Sequence, residues 1–414
     1  MAAVAFHTHR FENGITLVGE RNPNLNSVAF TILVPTGAAT DPEGRKGSAA
    51  VLQEYLFRGA GSYNARKLAQ KLDKLGVQRG QTVTAELSTF SAGLLGENLV
   101  EALRFYATLL IAPTFPEEEL EELRQLALQR LKALEDSPQE KLLQELKLRF
   151  FPTPLGNPVH GLQADLEALS YEEIRADYKR RYGSEGMIIT LAGNFDPKQA
   201  EAAIASAFAE FGGKVEELPP LSPQAKQVMH IEKETNQMQI GIAFDSVPFA
   251  DDAYFQARIG LNALSGGMSS RLFTEVREKR GLAYAVGASH VTTRTFGGVL
   301  CYAGTTTERS QETLDVTLAE LFRLREGIDW EEFERAKVRL KSSFITQGES
   351  SPARSRAIAT EWFHTGRVRT VEEMIATVDA LTLEQTNEHL VQYGPDAIDQ
   401  FTIFTMGAKP LEVR

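Results

Sequence analysis

The chain begins with short stretches of period-two alternation and then shifts to long runs with helical periodicity. "VAFHTHR" and "ITLVGE" flank Phe11-Glu12-Asn13-Gly14, and Asn-Gly favours the turns that close hairpins. "SVAFTILVPTG" reads as a strand and "VTAELSTFSAGL" alternates like another. Helical patterns are predicted over 47–58 and 65–75, and amphipathic runs over 97–112, 116–136 and 138–150. A helix over 171–181, the buried strand "MIITLAG" and a helix over 197–211 follow.

The same order then recurs. "NSVAFTILVPTGA" from Asn26 answers to "NQMQIGIAFDSVP" from Asn236, and "DSPQEKLLQELKLRFF" answers to "SSPARSRAIATEWFH". "LEALSYEEIRADYKRRYG" answers to "VDALTLEQTNEHLVQYG", and "MIITLAGNF" to "QFTIFTMGA". Asn26 and Asn236 lie 210 apart, Pro138 and Pro352 lie 214 apart, and a nearly constant offset of half the chain implies duplication. "GGKVEELPPLSPQAK", 212–226, carries glycines, prolines and charge without periodicity and reads as a linker. The expected organisation is therefore a domain over 1–211, a linker over 212–226 and a homologous domain over 227–414. The fold class is α+β: two homologous α/β-sandwich domains, each a mainly antiparallel sheet with helices on one face, forming a clamshell half.

At 414 residues, 43% of them hydrophobic, the chain is long enough for two cores. A net charge of −11 argues against nucleic acid and anionic membranes as partners. The one cysteine, Cys301, sits in the apolar run "GGVLCYAG" and reads as a core residue; no disulfide or cysteine-rich metal site can form within the chain. No apolar stretch reaches membrane-spanning length and the N-terminus does not read as a signal peptide, so the expected location is cytoplasmic. His7 and His9 fall on one face of a predicted strand, at an exposed edge position, and the remaining histidines are isolated.

Three motifs carry chemistry: "LVPTGAATDPEGRKGSA" leading into "LFRG", "PLGNPVHG", and "GGMSSRLFTEVREKRGLAYAVGA". In these the chain resembles the pitrilysin/insulinase family of metallopeptidases, and within it the short two-domain members similar to mitochondrial processing peptidase subunits. Active members of that family carry His-x-x-Glu-His on a helix. Positions i and i+4 share a helix face, so two imidazoles can hold one Zn²⁺, and the carboxylate between them serves as general base. The resemblance places these roles on Ala50, Gln53 and Glu54, and the further carboxylate ligand at Gln129 or Arg130. Both histidines, the base and the third ligand are missing, so no cofactor is expected in this chain.

"EVREKRGLAY" keeps the second half of the pattern. The resemblance implies that Arg277 and Tyr284 reach a peptide at a zinc site, where a charged guanidinium and a rigid hydroxyl would stabilise a developing oxyanion. Gly281 is expected to end the preceding helix. A chain lacking the zinc half and keeping the donor half resembles the non-zinc subunit of a heterodimeric peptidase. Its expected partners are a zinc-binding subunit of the same family, which would hold the Zn, and a peptide or unfolded-protein substrate. The alternative is a structural or peptide-binding homodimer, similar to respiratory-complex core proteins. The segment 79–89, "RGQTVTAELST", matches the family's peptide-pairing edge but has Gly80-Gln81 where Asn-Ala is usual. "SGGMSSR", 265–271, bears glycines, but no strand–GxxxxGK[ST]–helix accompanies it.

Overall fold

The structure is a computed structural model that describes residues 6–413; Val4 and Ala5 of the first expected strand lie outside them. Thirteen strands are formed among the described residues. In the first repeat they are β1 Phe6–Arg10, β2 Thr16–Arg21, β3 Ser27–Val34, the two-residue β4 Gly59–Ala60 and β5 Tyr63–Asn64, β6 Gln78–Val83, β7 Ser88–Leu95 and β8 Ile188–Gly193. The second repeat contributes β9 Val228–Glu232, β10 Gln237–Ser246, β11 Ala283–Thr292, β12 Gly297–Thr306 and β13 Thr402–Gly407. The Asn13-Gly14 hairpin forms as expected, with Gly14 at φ 91° and β1 antiparallel to β2. The alternating stretch 83–94 is two strands rather than one: Val83 closes β6, residues 84–87 turn, and β7 begins at Ser88. Thr84 drives this turn, its hydroxyl accepting the Leu87 amide.

The two main sheets share a strand order. The first runs β1-β2-β8-β3-β7-β6 and the second β9-β13-β10-β12-β11. In each, one pair is parallel (β2 with β8, β13 with β9) and the remaining pairs are antiparallel. Apart from the extra edge strand β1, the second sheet repeats the first, as the sequence offsets predict. Alternate side chains of β3, among them Phe30 and Ile32, enter the first core with helices of their own repeat; Ile240 and Ile242 of β10 do the same in the second.

The opposite face of each sheet is covered by one helix from the other repeat. Helix Ser351–Thr365 lies on β3, β8 and β7, where Ala359 and Phe363 meet Leu33 and Ile188. Its Arg354 is buried against Glu20 of β2 at 2.6 Å, and Ser355 bonds to Thr31 and Thr190 at 3.0 Å. Helix Pro138–Phe150 lies in turn on β10, β13 and β12. Glycines admit it closely: a Cβ on Gly241 would sit 3.0 Å from Leu142, and one on Gly298 would sit 2.3 Å from the Phe150 ring. These two helices are the counterparts paired by sequence above, so the duplicated elements have exchanged sheets. One compact unit consequently comprises 1–133, 157–221 and 347–368, and the other 134–156, 222–346 and 369–414. The division at 1–211 and 227–414 follows chain order; packing redistributes one helix each way. The stretch 212–226 is extended and carries only isolated bridges at Lys214 and Ser222.

Candidate functional site

Helix Ser48–Tyr55 carries the positions of the degenerate motif. Its N-terminus is capped from a distance by Asp41, which accepts the amides of Gly47 at 2.7 Å and Ala49 at 3.1 Å and the Ser48 hydroxyl at 3.1 Å. Arg181, fully buried, neutralises Asp41 at 2.6 Å and reaches Asp177 at 2.7 Å. The residue before the helix, Gly47, adopts φ 95°, and a Cβ there would press on Gly161 at 2.7 Å. The helix is therefore fixed on both sides, and Val51, Leu52 and Leu56 bury its apolar face in the first core.

On this scaffold the motif positions are occupied by a different chemistry. Ala50 offers no donor atom. Gln53 is 4% exposed, and its Nε2 donates to the carbonyls of Thr82 at 3.3 Å and Thr89 at 3.2 Å, tying the helix to β6 and β7. Glu54 accepts from Arg130 Nη2 at 2.9 Å and from Gln81 Nε2 at 3.1 Å. Of Gln129 and Arg130, both on helix Leu120–Glu135, Arg130 is the one that meets Glu54. A guanidinium lies beside the lone carboxylate, where it repels a metal cation electrostatically. The cavity lined by Ala50, Glu54, Leu126, Arg130 and His160 has a volume of about 20 Å³, room for a water molecule and little more. Among the described residues no three His, Cys, Asp or Glu side chains converge as a metal site. The donors at these positions do not fit a zinc ion.

Glu54, Gln81 and Arg130 are remote along the chain and meet in one interaction. Gln81 stands on β6, the last strand of its sheet, within the segment expected to form a peptide-pairing edge.

The second set of residues sits in the other unit. The chain from Arg271 to Glu278 is helical, with π geometry from Phe273. Gly281 ends it as expected, at φ 60°, with its amide on the Arg277 carbonyl at 3.1 Å and the next amide on Val276 at 2.9 Å. Arg277 is exposed, its guanidinium 5.1 Å from the Phe273 ring centre. Tyr284 falls at a register shift in β11, the edge strand, between Ala283 and Ala285, and is 55% exposed. Its phenol lies over Gly304, where a Cβ would come within 2.7 Å, and beside the Tyr302 hydroxyl, which donates to Gln239 at 2.6 Å. Burial first, and then the Tyr284 phenol, push the Tyr302 hydroxyl far above the usual tyrosine range. No hydrogen bond links Arg277 to Tyr284; each is held by its own element. Cys301 is 1% exposed and packs in the second core, as expected. His7 and His9, on edge strand β1, both face Glu201.

Two like α/β units, one carrying Ala50, Gln53 and Glu54 on a helix packed into its core and the other carrying Arg277 and Tyr284 near an edge strand, make up the described chain. Residues 16–162 match the family model "Insulinase (Peptidase family M16)", and residues 168–340 match "Peptidase M16 inactive domain". The chain belongs to the M16, or pitrilysin/insulinase-type, peptidase family. It is 28% identical over 91% of its length, and 92% of the relative's, to an uncharacterized zinc protease, YmxG, of Bacillus subtilis. An uncharacterized zinc protease of Rickettsia felis is 25% identical over 90% of this chain and 91% of its own. A crystal structure of a peptidase M16 inactive domain from Pseudomonas fluorescens shares the fold at TM-score 0.90 and 21% identity, covering 99% of this chain and 100% of that one. A chain of Complex III2 from Candida albicans does so at TM-score 0.84 and 18% identity, covering 97% and 96%. Among the described residues no helix is long and apolar enough to cross a membrane.

Proposed function

We propose that this chain is a non-catalytic M16-family subunit. It binds no zinc itself and presents Arg277 and Tyr284 to a peptide held at the zinc site of a partner chain of the same family. The observation that supports this reading is that Glu54 is paired with Arg130 and Gln81, while Arg277, at a helix end, and Tyr284, on an edge strand, stand exposed. Arg277 would bring fixed positive charge to the developing oxyanion and Tyr284 a hydroxyl donor; loss of one such donor typically costs about a hundredfold in rate. The working location in this reading is the cytoplasm.

The test is co-purification from the native cells, followed by peptidase assay of the chain alone and of the recovered assembly. A stoichiometric zinc-bearing M16 partner, with activity confined to the pair and reduced about a hundredfold by Arg277→Ala or Tyr284→Phe, is expected. Unchanged turnover in both variants removes the donor role. A second reading, a structural or peptide-holding homodimer, is favoured by the likeness to the Complex III2 chain and by the edge position of β6. A zinc-free dimer of this chain alone would select it.

A further inference from the structure

The loop 266–270, within the glycine-bearing segment 265–271, has its chemical partners on a distant helix. It borders a cavity of about 160 Å³ whose lining includes Gly267, Met268, Ser269, Glu332, Arg335 and Arg339. We propose that this cavity binds a carboxylate group carried by a peptide, a reading that deepens the peptide-holding role above and rests on it for the carrier.

The charge balance points to a monoanion. Glu332 is held by Arg271 at 2.6 and 2.7 Å, so its charge is already matched. Arg335 shares Glu331 at 3.2 Å. Arg339, one turn further along the helix Trp330–Gly348, has no carboxylate partner among the described residues. One guanidinium thus remains uncompensated at the cavity. Arg339 is exposed, so its guanidinium is open to a ligand from solvent.

The loop supplies neutral donors beside it. Among the described residues the amides of Gly267, Met268 and Ser269 donate to no protein group, while Ser270 holds the turn through its hydroxyl on the Gly267 carbonyl at 2.6 Å. Consecutive free amides beside an arginine fork suit a planar oxyanion. Gly267, at φ 151°, is required for the arrangement: a Cβ there would stand 2.7 Å from Arg339 Nη1. Met268, 76% exposed, offers an apolar rim to the carbons that carry the acid.

The experiment uses the full chain and three labelled peptides of one neutral sequence: one with a free C-terminal carboxylate, one amidated, and one amidated with a single internal glutamate. Fluorescence anisotropy should show an acid-bearing peptide binding about tenfold or more tighter than the neutral one, with acetate competing. Preference for the free terminus assigns a chain end; preference for the glutamate peptide assigns an acidic side chain. Arg339→Gln should abolish the difference at unchanged melting temperature, and Gly267→Ala should reproduce that loss by displacing Arg339. Equal binding of all three peptides, no binding of any, or a preference that survives Arg339→Gln overturns the proposal. So does inorganic phosphate competing tenfold better than acetate. None of these readings needs a zinc-bearing partner, so they fail or succeed separately from the subunit role.

Discussion

Gln53→Glu would restore the one side chain that most resembles the family's general base, and the structure says that it should harm the protein. Gln53 is buried, and its amide nitrogen faces two backbone carbonyls, Thr82 and Thr89, at 3.3 and 3.2 Å. A carboxylate there loses both donated bonds and directs negative charge at two carbonyl oxygens, with Glu54 adjacent in sequence. Two lost hydrogen bonds cost about 1–3 kcal/mol, and a buried unpaired charge adds to that. A protonated acid recovers one donor, so the folded protein should hold a proton on this side chain above its ordinary range. For a group whose folded pKa is raised, the deficit grows as pH rises through that value. The expected loss is about 3 kcal/mol at pH 8 and about 1 kcal/mol at pH 5. At roughly 2–4 °C per kcal/mol for units of this size, that is about 6–12 °C against 2–4 °C. The assay is thermal unfolding of variant and wild type at both pH values, read as the difference between them. Equal differences at pH 5 and pH 8 would refute the reasoning, because they would mean that Gln53 does not donate to these carbonyls.

Phe150→Ala should cost about 3–5 kcal/mol, and the loss should appear in amide exchange of β10 and β12, although Phe150 precedes the linker. Protection lost instead from β3 would contradict the exchanged helices. His290 is held down to about 4, chiefly by burial, with its bond to the Val247 carbonyl opposing and Arg258 and His389 adding. Its folded pKa lies below the unfolded value near 6.5, so stability is full above that value and falls on acidification towards pH 4, by on the order of 3 kcal/mol. His290→Asn should flatten that part of the stability–pH curve; parallel curves would dismiss the assignment. Burial pushes the Cys301 thiol up to about 12, so alkylation by iodoacetamide should require unfolding, and labelling of the native chain within minutes would show the site to be open.

Much of this protein is legible along the chain. The offset near 210 residues announces two like domains, and the matching strand orders bear it out. Helix Pro138–Phe150 falls within the bounds that its periodicity predicts, and Gly281 stops its helix as a glycine at positive φ should. The lack of any histidine between His9 and His160, and the identities of Ala50, Gln53 and Glu54, are also properties of the sequence alone. These features are local: periodicity, turn chemistry and residue identity act over a few neighbours.

What the tertiary structure decided is which surfaces meet. An amphipathic helix states that one face is buried, but not against which sheet, and two similar sheets offer similar apolar faces. The exchange of helices 138–150 and 351–365 therefore leaves little mark on their patterns, and long connections cost only slightly more closure entropy than short ones. Packing between remote elements likewise set Arg130 against Glu54, joined Gln81 to Glu54, and brought Arg339 behind Gly267. Each of those contacts joins residues 27 or more positions apart, and no periodicity within one element specifies where its side chains meet another.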